Sequence, residues 1–223
     1  MQGKRVSVEY SQVLHSMDVV TSLYLPLYVG YLFYNNLLLK IGRFDNIHNI
    51  LILAAIEIIK YIFYTLRNKS LIQKNHVKDF FKVIGMFLLS LISIYIMAVL
   101  FGAPALSNFE ETFMFSFIVT TVTALPVCLH LGLKDTLNIF LSLTSYEGTE
   151  TQKLFMLKVR LTLLGAWLGA IVIPLDWNRP WQNWPIPTSV GTILGYMVAN
   201  WICSLLQYKN RGRLIKKTGK YAL

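Results

Sequence analysis

Six long blocks of apolar residues, separated by shorter polar connections, dominate the pattern of this chain. Each block holds roughly 20 residues, the length that an α-helix needs to cross a hydrocarbon core of about 30 Å. The apolar residues fill these blocks and do not recur at amphipathic spacing. We therefore predict an all-α polytopic membrane protein with about six transmembrane helices, in a single transmembrane domain that covers residues 1–223. The predicted spans lie at about 19–39, 47–66, 80–103, 109–131, 155–174 and 186–206.

The composition agrees with a membrane protein. Of the 223 residues, 55% are hydrophobic and 14% are charged, whereas about 25% of the residues in an average soluble domain are charged. The net charge of +10 does not indicate nucleic-acid binding, because the basic residues lie between apolar blocks and not on a soluble face. The first block is longer than the apolar core of a signal peptide and lacks an evident cleavage site, so we expect a retained helix.

The basic residues predict the orientation, since Lys and Arg near helix ends are retained on the cytoplasmic side of a membrane. With the N-terminus in the cytoplasm, sixteen Lys and Arg residues fall on the cytoplasmic side. One of the sixteen is Lys158, which is counted with the connection before the fifth span. The opposite, lumenal side collects only Lys40, Arg43 and Arg179. We therefore expect both termini in the cytoplasm, with residues 207–223 forming a basic tail that is attracted to anionic lipid.

Two connections have features of their own. The link between the third and fourth spans is so short that these helices must form an antiparallel hairpin. Asn108 with Glu111, and Ser107 with Glu110, have the spacing of a capping box, and we favour Glu110 and Glu111 as a helix start at the membrane interface. The alternative is that the two carboxylates hold a cation or a cationic partner. The connection 132–153 has an amphipathic pattern that predicts a short interfacial helix.

No motif for catalysis, metal binding or cofactor binding is visible in the sequence. The four histidines are scattered among different segments, and there is no phosphate-binding glycine loop and no nucleophile elbow. An active site is therefore not visible, although an enzyme stays open at this point, and we expect no metal and no cofactor. Cys128 and Cys203 lie inside apolar blocks, where we expect them to be packing residues. Glu57 and Lys60 lie three residues apart in the second span, which predicts a buried structural ion pair. The other spans supply almost no ionisable groups, which argues against a pathway for protons or solutes.

Small residues line one face of each of the last two spans. Gly165 and Gly169 form a GxxxG motif in the fifth span, and Gly191, Gly195 and Ala199 recur at intervals of four in the sixth. Such faces allow two helix backbones to approach closely. We favour packing of these two spans against each other, and the alternative is that one of the faces receives a helix of another protein.

The most unusual segment is the predicted lumenal connection 173–187, which holds three tryptophans and four prolines. Tryptophans at the headgroup level and prolines in an exposed loop are typical of a rigid interfacial anchor. An Asp and an Arg three residues apart could pair, or the Arg could meet a phosphate headgroup or a carboxylate of a partner. The segment also has the composition of a protein-binding hot spot, through Asp176, Trp177, Arg179, Trp181 and Trp184.

This segment resembles the signature of the PIG-F family. The matching stretches are Leu168-Gly169-Ala170, Ile173-Pro174-Leu175-Asp176-Trp177, Arg179-Pro180-Trp181-Gln182 and Trp184-Pro185-Ile186. A second landmark of the family matches Phe101-Gly102-Ala103-Pro104, followed by Glu111-Thr112. With the spans between these motifs, the resemblance covers about residues 100–203.

The resemblance implies a small multi-pass protein of the endoplasmic reticulum membrane that takes part in the assembly of glycosylphosphatidylinositol (GPI) anchors. It implies a non-catalytic subunit that stabilises the large ethanolamine phosphate transferase, whose own metal-dependent domain adds phosphoethanolamine to GPI mannose. We expect a heterodimer with this enzyme and contact with membrane lipids. The expected interface is the tryptophan segment together with the small-residue faces of the last two spans, which contain Gly165, Gly169, Gly191 and Gly195.

An alternative from another class is that the chain itself binds or presents the phosphoethanolamine lipid donor. The donor would then be held on the lumenal side by Glu110, Glu111, Asp176 and Arg179. A transporter of small solutes is the least favoured hypothesis, because so few ionisable residues fall inside the predicted spans.

Overall fold

The structure is a computed structural model that describes the backbone of residues 2–67, 76–142, 148–175 and 177–219, and the side chains of residues 14–66, 81–142, 148–175 and 177–210. Within these residues the chain is all-α and contains no β-strand. The helices are α1 (Gln2–Tyr34), α2 (Ile47–Arg67), α3 (His76–Leu100), α4 (Phe109–Val122), α5 (Ala124–Leu131), α6 (Leu133–Leu141), α7 (Glu150–Ala170) and α8 (Ile186–Gly219). Short 3₁₀ turns in the connections lie at Leu37–Lys40, Phe44–Asn46 and Pro180–Gln182.

Four of the described helical segments are long and apolar enough to cross a membrane. These candidates are Phe44–Leu66, Phe81–Leu100, Phe109–Leu131 and Ile186–Asn210. The helices α1 and α7, which overlap the first and fifth predicted spans, carry polar and charged residues and fall outside this set. The chain is therefore an all-helical membrane protein with four candidate spans.

The continuous segment made by α4 and α5 lies at the centre of the bundle. It is the most deeply buried of the four candidates, and α2, α3 and α8 pack against it. One buried apolar cluster contains Leu25, Leu53, Met114, Ile118 and Tyr196. The segment breaks after Val122 because Pro126 has no backbone N–H to donate to the Val122 carbonyl.

Three hydroxyl groups buried along α4 and at its C-terminal end donate to carbonyls of the same segment, whereas the buried Thr121 hydroxyl has no hydrogen-bond partner among the described residues. The hydroxyl of Ser116 donates to Thr112 O at 2.8 Å, that of Thr120 to Ser116 O at 2.7 Å, and that of Thr123 to Val119 O at 2.6 Å. Hydrogen bonds to the carbonyl four residues earlier remove the cost of an unpaired hydroxyl in an apolar interior. This explains how α4 can be buried although it carries several Ser and Thr residues.

The expected antiparallel hairpin is formed by α3 and α4, which pack against each other. Two hydrogen bonds hold its connection. The Tyr95 hydroxyl donates to Ala105 O at 2.6 Å, and the Thr112 hydroxyl donates to Pro104 O at 2.8 Å. The short helix predicted within 132–153 is present as α6.

The capping box predicted at the start of α4 is wrong. Asn108 is the N-cap residue, but its side chain makes no capping hydrogen bond. The carboxylate of Glu110 instead accepts a hydrogen bond from the backbone N–H of Phe44. Glu110 therefore joins the first turn of α4 to the connection between α1 and α2.

The ion pair predicted between Glu57 and Lys60 is present and buried. Lys60 Nζ lies 2.7 Å from Glu57 Oε1 and donates a second hydrogen bond to Thr21 Oγ1 at 2.6 Å. The same Glu57 oxygen accepts hydrogen bonds from the hydroxyls of Tyr24 at 3.0 Å and Tyr196 at 2.9 Å. This pair therefore links α2 to both α1 and α8.

A second buried ion pair corrects two expectations from the sequence. Lys158, which the orientation count assigns to a cytoplasmic connection, lies inside α7 and is only 9% exposed. It pairs with Asp18 of α1, whose other carboxylate oxygen accepts a hydrogen bond from the Gln207 amide at 2.8 Å. Ionisable groups inside the bundle are thus not confined to α2, and the pair Asp18–Lys158 connects α1, α7 and α8.

We expect the loss of one member of this pair to be costly, because it leaves a buried charge without its partner. Asp18→Asn and Lys158→Met should each lower the free energy of unfolding by about 3 kcal/mol or more. The double variant should lose clearly less than the sum of the two. A double-mutant cycle on the detergent-purified chain, with unfolding followed by denaturant titration, measures this difference, and strictly additive losses would contradict the pairing.

Candidate functional site

One end of the bundle brings together the connection 35–46, the start of α4 and the segment 171–187. We call it the tryptophan end, because this segment carries three of the five tryptophans. At Gly42 the connection approaches its neighbours closely, since an added Cβ would lie 2.6 Å from Pro185 Cδ and 3.2 Å from Glu111 Cγ. Glu110 and Glu111 therefore both contact the connection 35–46, Glu110 through the N–H of Phe44.

The helices α7 and α8 form the most extensive helix contact among the described elements. Gly165 and Gly169 of α7 face Gly191 and Gly195 of α8. A Cβ added at Gly195 would lie 2.6 Å from Leu161 O, and a Cβ at Gly165 would lie 2.8 Å from Gly195 Cα. The two glycine faces pack against each other within the chain, which is the arrangement that the sequence analysis favours.

Gln182 holds together the turn at the start of the tryptophan segment, directly after α7. Its side chain is buried, and its amide donates hydrogen bonds to Val172 O at 2.6 Å and to Leu175 O. The same two carbonyls accept backbone hydrogen bonds from Leu175 N–H and Trp177 N–H. The buried glutamine therefore ties the turn Pro180–Gln182 to the start of the segment.

Trp184 anchors the other end of the segment to α4. Its indole N–H donates to Thr112 Oγ1 at 3.1 Å, and its ring centroid lies 5.0 Å from that of Phe115. The side chain is half-buried, so it contributes to the packing between the segment and the bundle. Of the three tryptophans, this one has the clearest structural role.

The outer side of the segment consists of Trp177, Arg179 and Trp181. Trp177 is 53% exposed and Trp181 is 41% exposed, and their ring centroids lie 5.9 Å apart. The Arg179 side chain is also exposed, while Asp176 lies outside the described residues. Neighbouring exposed tryptophans with an arginine between them form a surface suited to a membrane interface or to a protein partner.

An apolar groove of about 740 Å³ opens beside the α7–α8 contact. The floor is formed by the glycine faces of the two helices. One wall belongs to α7, and the facing wall belongs to the end of α1 and the turn Leu37–Lys40. The lining includes Phe33, Leu39, Leu164, Leu168, Trp181 and Leu194.

The described residues contain no group of three or more His, Cys, Asp and Glu side chains that could hold a metal ion. Cys128 and Cys203 are buried free cysteines, as expected for packing residues. The tryptophan end has exposed aromatic rings, exposed cations and an apolar groove, and these features are suited to binding another molecule. The sequence analysis found the tryptophans and glycines, but it missed Gln182 and Gly42, which fix the segment in place.

The glycine contact leads to a stability prediction with a matched control. Gly195→Ala places a methyl group against the Leu161 carbonyl, so α7 and α8 must move apart at a cost of about 1–3 kcal/mol. Gly30→Ala in α1 meets nothing within 4 Å and should be neutral or stabilising by up to about 1 kcal/mol, because alanine favours a helix. Unfolding of the two purified variants measures the difference. Equal effects of the two substitutions would contradict the close contact.

Comparisons with known proteins agree on one family. The chain matches the model described as GPI biosynthesis protein family Pig-F over residues 20–204. It is similar to the Homo sapiens protein named GPI ethanolamine phosphate transferase, stabilizing subunit. The two are 38% identical over 143 residues, which make up 63% of this chain and 64% of that protein. The Mus musculus protein of the same name is 38% identical over 133 residues, covering 59% of this chain and 60% of that protein.

A fungal relative extends the comparison. Glycosylphosphatidylinositol anchor biosynthesis protein 11 of Yarrowia lipolytica is 39% identical over 107 residues, covering 47% of this chain and 45% of that protein. The chain thus spans less than two thirds of the length of these relatives, and no solved structure matches it. Since the family model covers most of the chain, from residue 20 to residue 204, the chain belongs to the GPI biosynthesis protein family Pig-F.

Proposed function

We propose that this chain is a non-catalytic membrane subunit that binds and stabilises a GPI ethanolamine phosphate transferase, and thereby supports transfer of phosphoethanolamine to GPI mannose. The observation that carries the proposal is the 38% identity to a human protein named as the stabilizing subunit of that transferase. The family match over residues 20–204 includes the whole tryptophan end and all of α7. The features proposed for binding therefore lie in the part of the chain that defines the family.

The chemistry of the described residues supports an accessory role. Asp18 and Glu57 are the carboxylates buried in the bundle, and each is held by a lysine and by further hydrogen bonds. A phosphoryl transferase that uses metal ions needs several ligand side chains close together, and the described part of the chain offers no such group. In our proposal the large partner subunit supplies the catalytic machinery.

The proposed topology has six helices across the endoplasmic reticulum membrane, with both termini in the cytoplasm. The four candidate spans are completed by α1 and α7, whose buried charges Asp18 and Lys158 neutralise each other. Paired charges that face the interior of a bundle are tolerated at membrane depth, whereas unpaired charges facing lipid are not. In this arrangement the tryptophan end faces the lumen.

The proposed interface of the heterodimer is the outer side of the tryptophan segment. Exposed tryptophans beside an arginine are the residue types that carry most of the binding energy in protein interfaces. We assign the direct contacts to Trp177, Arg179 and Trp181, and on the sequence alone we add Asp176, which lies outside the described residues. The remaining site residues act by holding this surface in position, namely Trp184, Glu110, Glu111, Gly165, Gly169, Gly191 and Gly195.

Removal of the exposed tryptophans tests the interface. The double variant Trp177→Ala, Trp181→Ala should weaken binding of the transferase by at least about 2 kcal/mol, or roughly 30-fold, because buried tryptophans are typical hot-spot residues. The abundance of the transferase and of GPI carrying phosphoethanolamine should fall in cells that express this variant in place of the wild-type chain. The variant chain itself should keep its wild-type abundance, since both side chains are exposed.

The matched control is Trp167→Ala, which removes a tryptophan that is 60% exposed on α7 and lies outside the segment. It should leave the transferase unchanged. Wild-type transferase levels with the double variant, or an equal fall with the control, would contradict the assigned interface.

The proposed topology is tested by cysteine accessibility in sealed microsomes, whose outer surface corresponds to the cytoplasm. Ser107 and Lys134 are both exposed and lie at opposite ends of the bundle, Ser107 between α3 and α4 and Lys134 in the first turn of α6. A membrane-impermeant maleimide should label Lys134→Cys in intact vesicles, and Ser107→Cys only after permeabilisation. The wild-type chain is the control, because Cys128 and Cys203 are buried, and the reverse labelling pattern would contradict the orientation.

A further inference from the structure

We infer that the groove between α1, α7 and α8 binds one membrane glycerophospholipid, with an acyl chain along the groove and the phosphate at Lys40 and Arg179. This inference goes beyond the subunit role proposed above, because the site is built from this chain alone. It commits to a lipid of the leaflet that meets the tryptophan end. Shape, length and the distribution of polar groups support it.

The shape of the groove follows from how α1 and α7 are joined. Near the end of the bundle opposite the tryptophans, Asp18 of α1 and Lys158 of α7 form an ion pair, and α8 contributes Gln207 to the same group. Toward the tryptophan end the two helices form facing walls, which carry Phe33 and Leu164 respectively. The groove therefore lies on the tryptophan side of the ion pair, and its lining along α7 begins at Leu161, three residues after Lys158.

The length of the groove fits one leaflet of a bilayer. Its lining along α8 runs from Ile186 to Val198, which is about 18 Å at 1.5 Å per residue. Half of a hydrocarbon core of about 30 Å is about 15 Å. A transmembrane helix of a partner needs a groove that continues across both leaflets, whereas an acyl chain needs a groove only as long as one leaflet is deep.

The surface of the groove is suited to an acyl chain. Its floor is the line along which the glycine faces of α7 and α8 meet, and its walls are apolar side chains. The volume of about 740 Å³ lies within the range of roughly 300–1,000 Å³ that is typical of small-molecule sites. Leu164, Leu168 and Leu194 are 39–52% exposed, so a chain in the groove would cover apolar surface that this chain leaves open.

Polar groups lie at one end of the groove, where a headgroup would be. Asn36 and the indole of Trp181 contribute to the lining there. Lys40 follows directly after the lining residue Leu39, and Arg179 lies two residues before Trp181. The turn Leu37–Lys40, which contains Lys40, contacts the turn Pro180–Gln182, which directly follows Arg179.

The charge at this end favours a phosphate. Lys40 and Arg179 are exposed, and no ion pair with another described residue engages either of them. The acidic residues Glu110 and Glu111 belong to α4, which contributes no residue to the lining. Lysine and arginine at the membrane surface bind lipid phosphates through charge-assisted hydrogen bonds.

Native mass spectrometry of the detergent-purified chain, titrated with dioleoyl phosphatidylcholine or with dioleoylglycerol, tests the inference. We expect one phosphatidylcholine per chain, and at least tenfold weaker binding of dioleoylglycerol, which lacks the phosphate. Leu194→Trp fills the groove and should lower occupancy at least tenfold. Leu205→Trp changes an exposed residue of the same helix outside the groove and should have no effect.

The headgroup contacts are tested separately. The double variant Lys40→Ala, Arg179→Ala should bind phosphatidylcholine about 30-fold more weakly, at about 1 kcal/mol for each cation, and should bind dioleoylglycerol as the wild type does. The control Lys153→Ala removes an exposed lysine in the first turn of α7, remote from the groove, and should bind both lipids normally.

Three results would overturn the inference. The first is unchanged lipid occupancy in Leu194→Trp, and the second is equal binding of the two lipids by the wild-type chain. The third is that the wild-type groove holds no lipid while Leu194→Trp abolishes co-purification of the transferase. The last result would assign the groove to a helix of the partner. Thermal unfolding of each variant identifies misfolding, and Leu168→Trp fills the groove from the opposite wall if Leu194→Trp does not fold.

Discussion

The arrangement of the helices depends on two ion pairs that are buried among them. A charge that faces hydrocarbon is costly, and the cost falls when an opposite charge lies within hydrogen-bond distance. Asp18 and Lys158 satisfy this requirement between α1 and α7, and Glu57 and Lys60 satisfy it within α2 while Tyr24 and Tyr196 bind the same carboxylate oxygen. The pairs allow polar helices to join an apolar bundle, and their hydrogen bonds link α1, α2, α7 and α8 to one another.

The tryptophan end combines fixed and exposed features. Gln182 holds the turn after α7 together and Trp184 binds the segment to α4, while the rings of Trp177 and Trp181 are exposed. The glycine contact brings α7 and α8 together directly beneath the segment. A rigid support with exposed aromatic residues is an economical design for a subunit whose proposed role is to bind another membrane protein, since little side-chain order is lost on binding.

The sequence predicts features whose cause is local. The apolar blocks identify the helices, and the spacing of Glu57 and Lys60 places both side chains on one face of α2. The small-residue faces allow two interpretations, and only the packed structure shows that they meet each other. The resemblance of residues 100–203 to one family supplies the functional hypothesis that composition and spacing leave open.

Features that depend on distant contacts are not visible in the sequence. Asp18 and Lys158 lie 140 residues apart, so the sequence around either residue does not indicate its partner. The predicted capping box is absent, and the Glu110 carboxylate instead accepts a hydrogen bond from the backbone N–H of Phe44, 66 residues away. The hydrophobic pattern does not reveal the role of Gln182, because its side chain bonds to carbonyls seven and ten residues earlier in the chain.

The central claim is that this chain acts as a bound, non-catalytic subunit of a larger transferase. It is tested most directly by purifying the tagged chain from its native membranes in mild detergent and identifying and quantifying the proteins that accompany it. The account predicts near-stoichiometric recovery of a large multi-spanning protein with a metal-dependent phosphotransferase domain. Recovery of the chain alone, under conditions that preserve other membrane complexes, together with phosphoethanolamine transfer by the isolated chain, would contradict it.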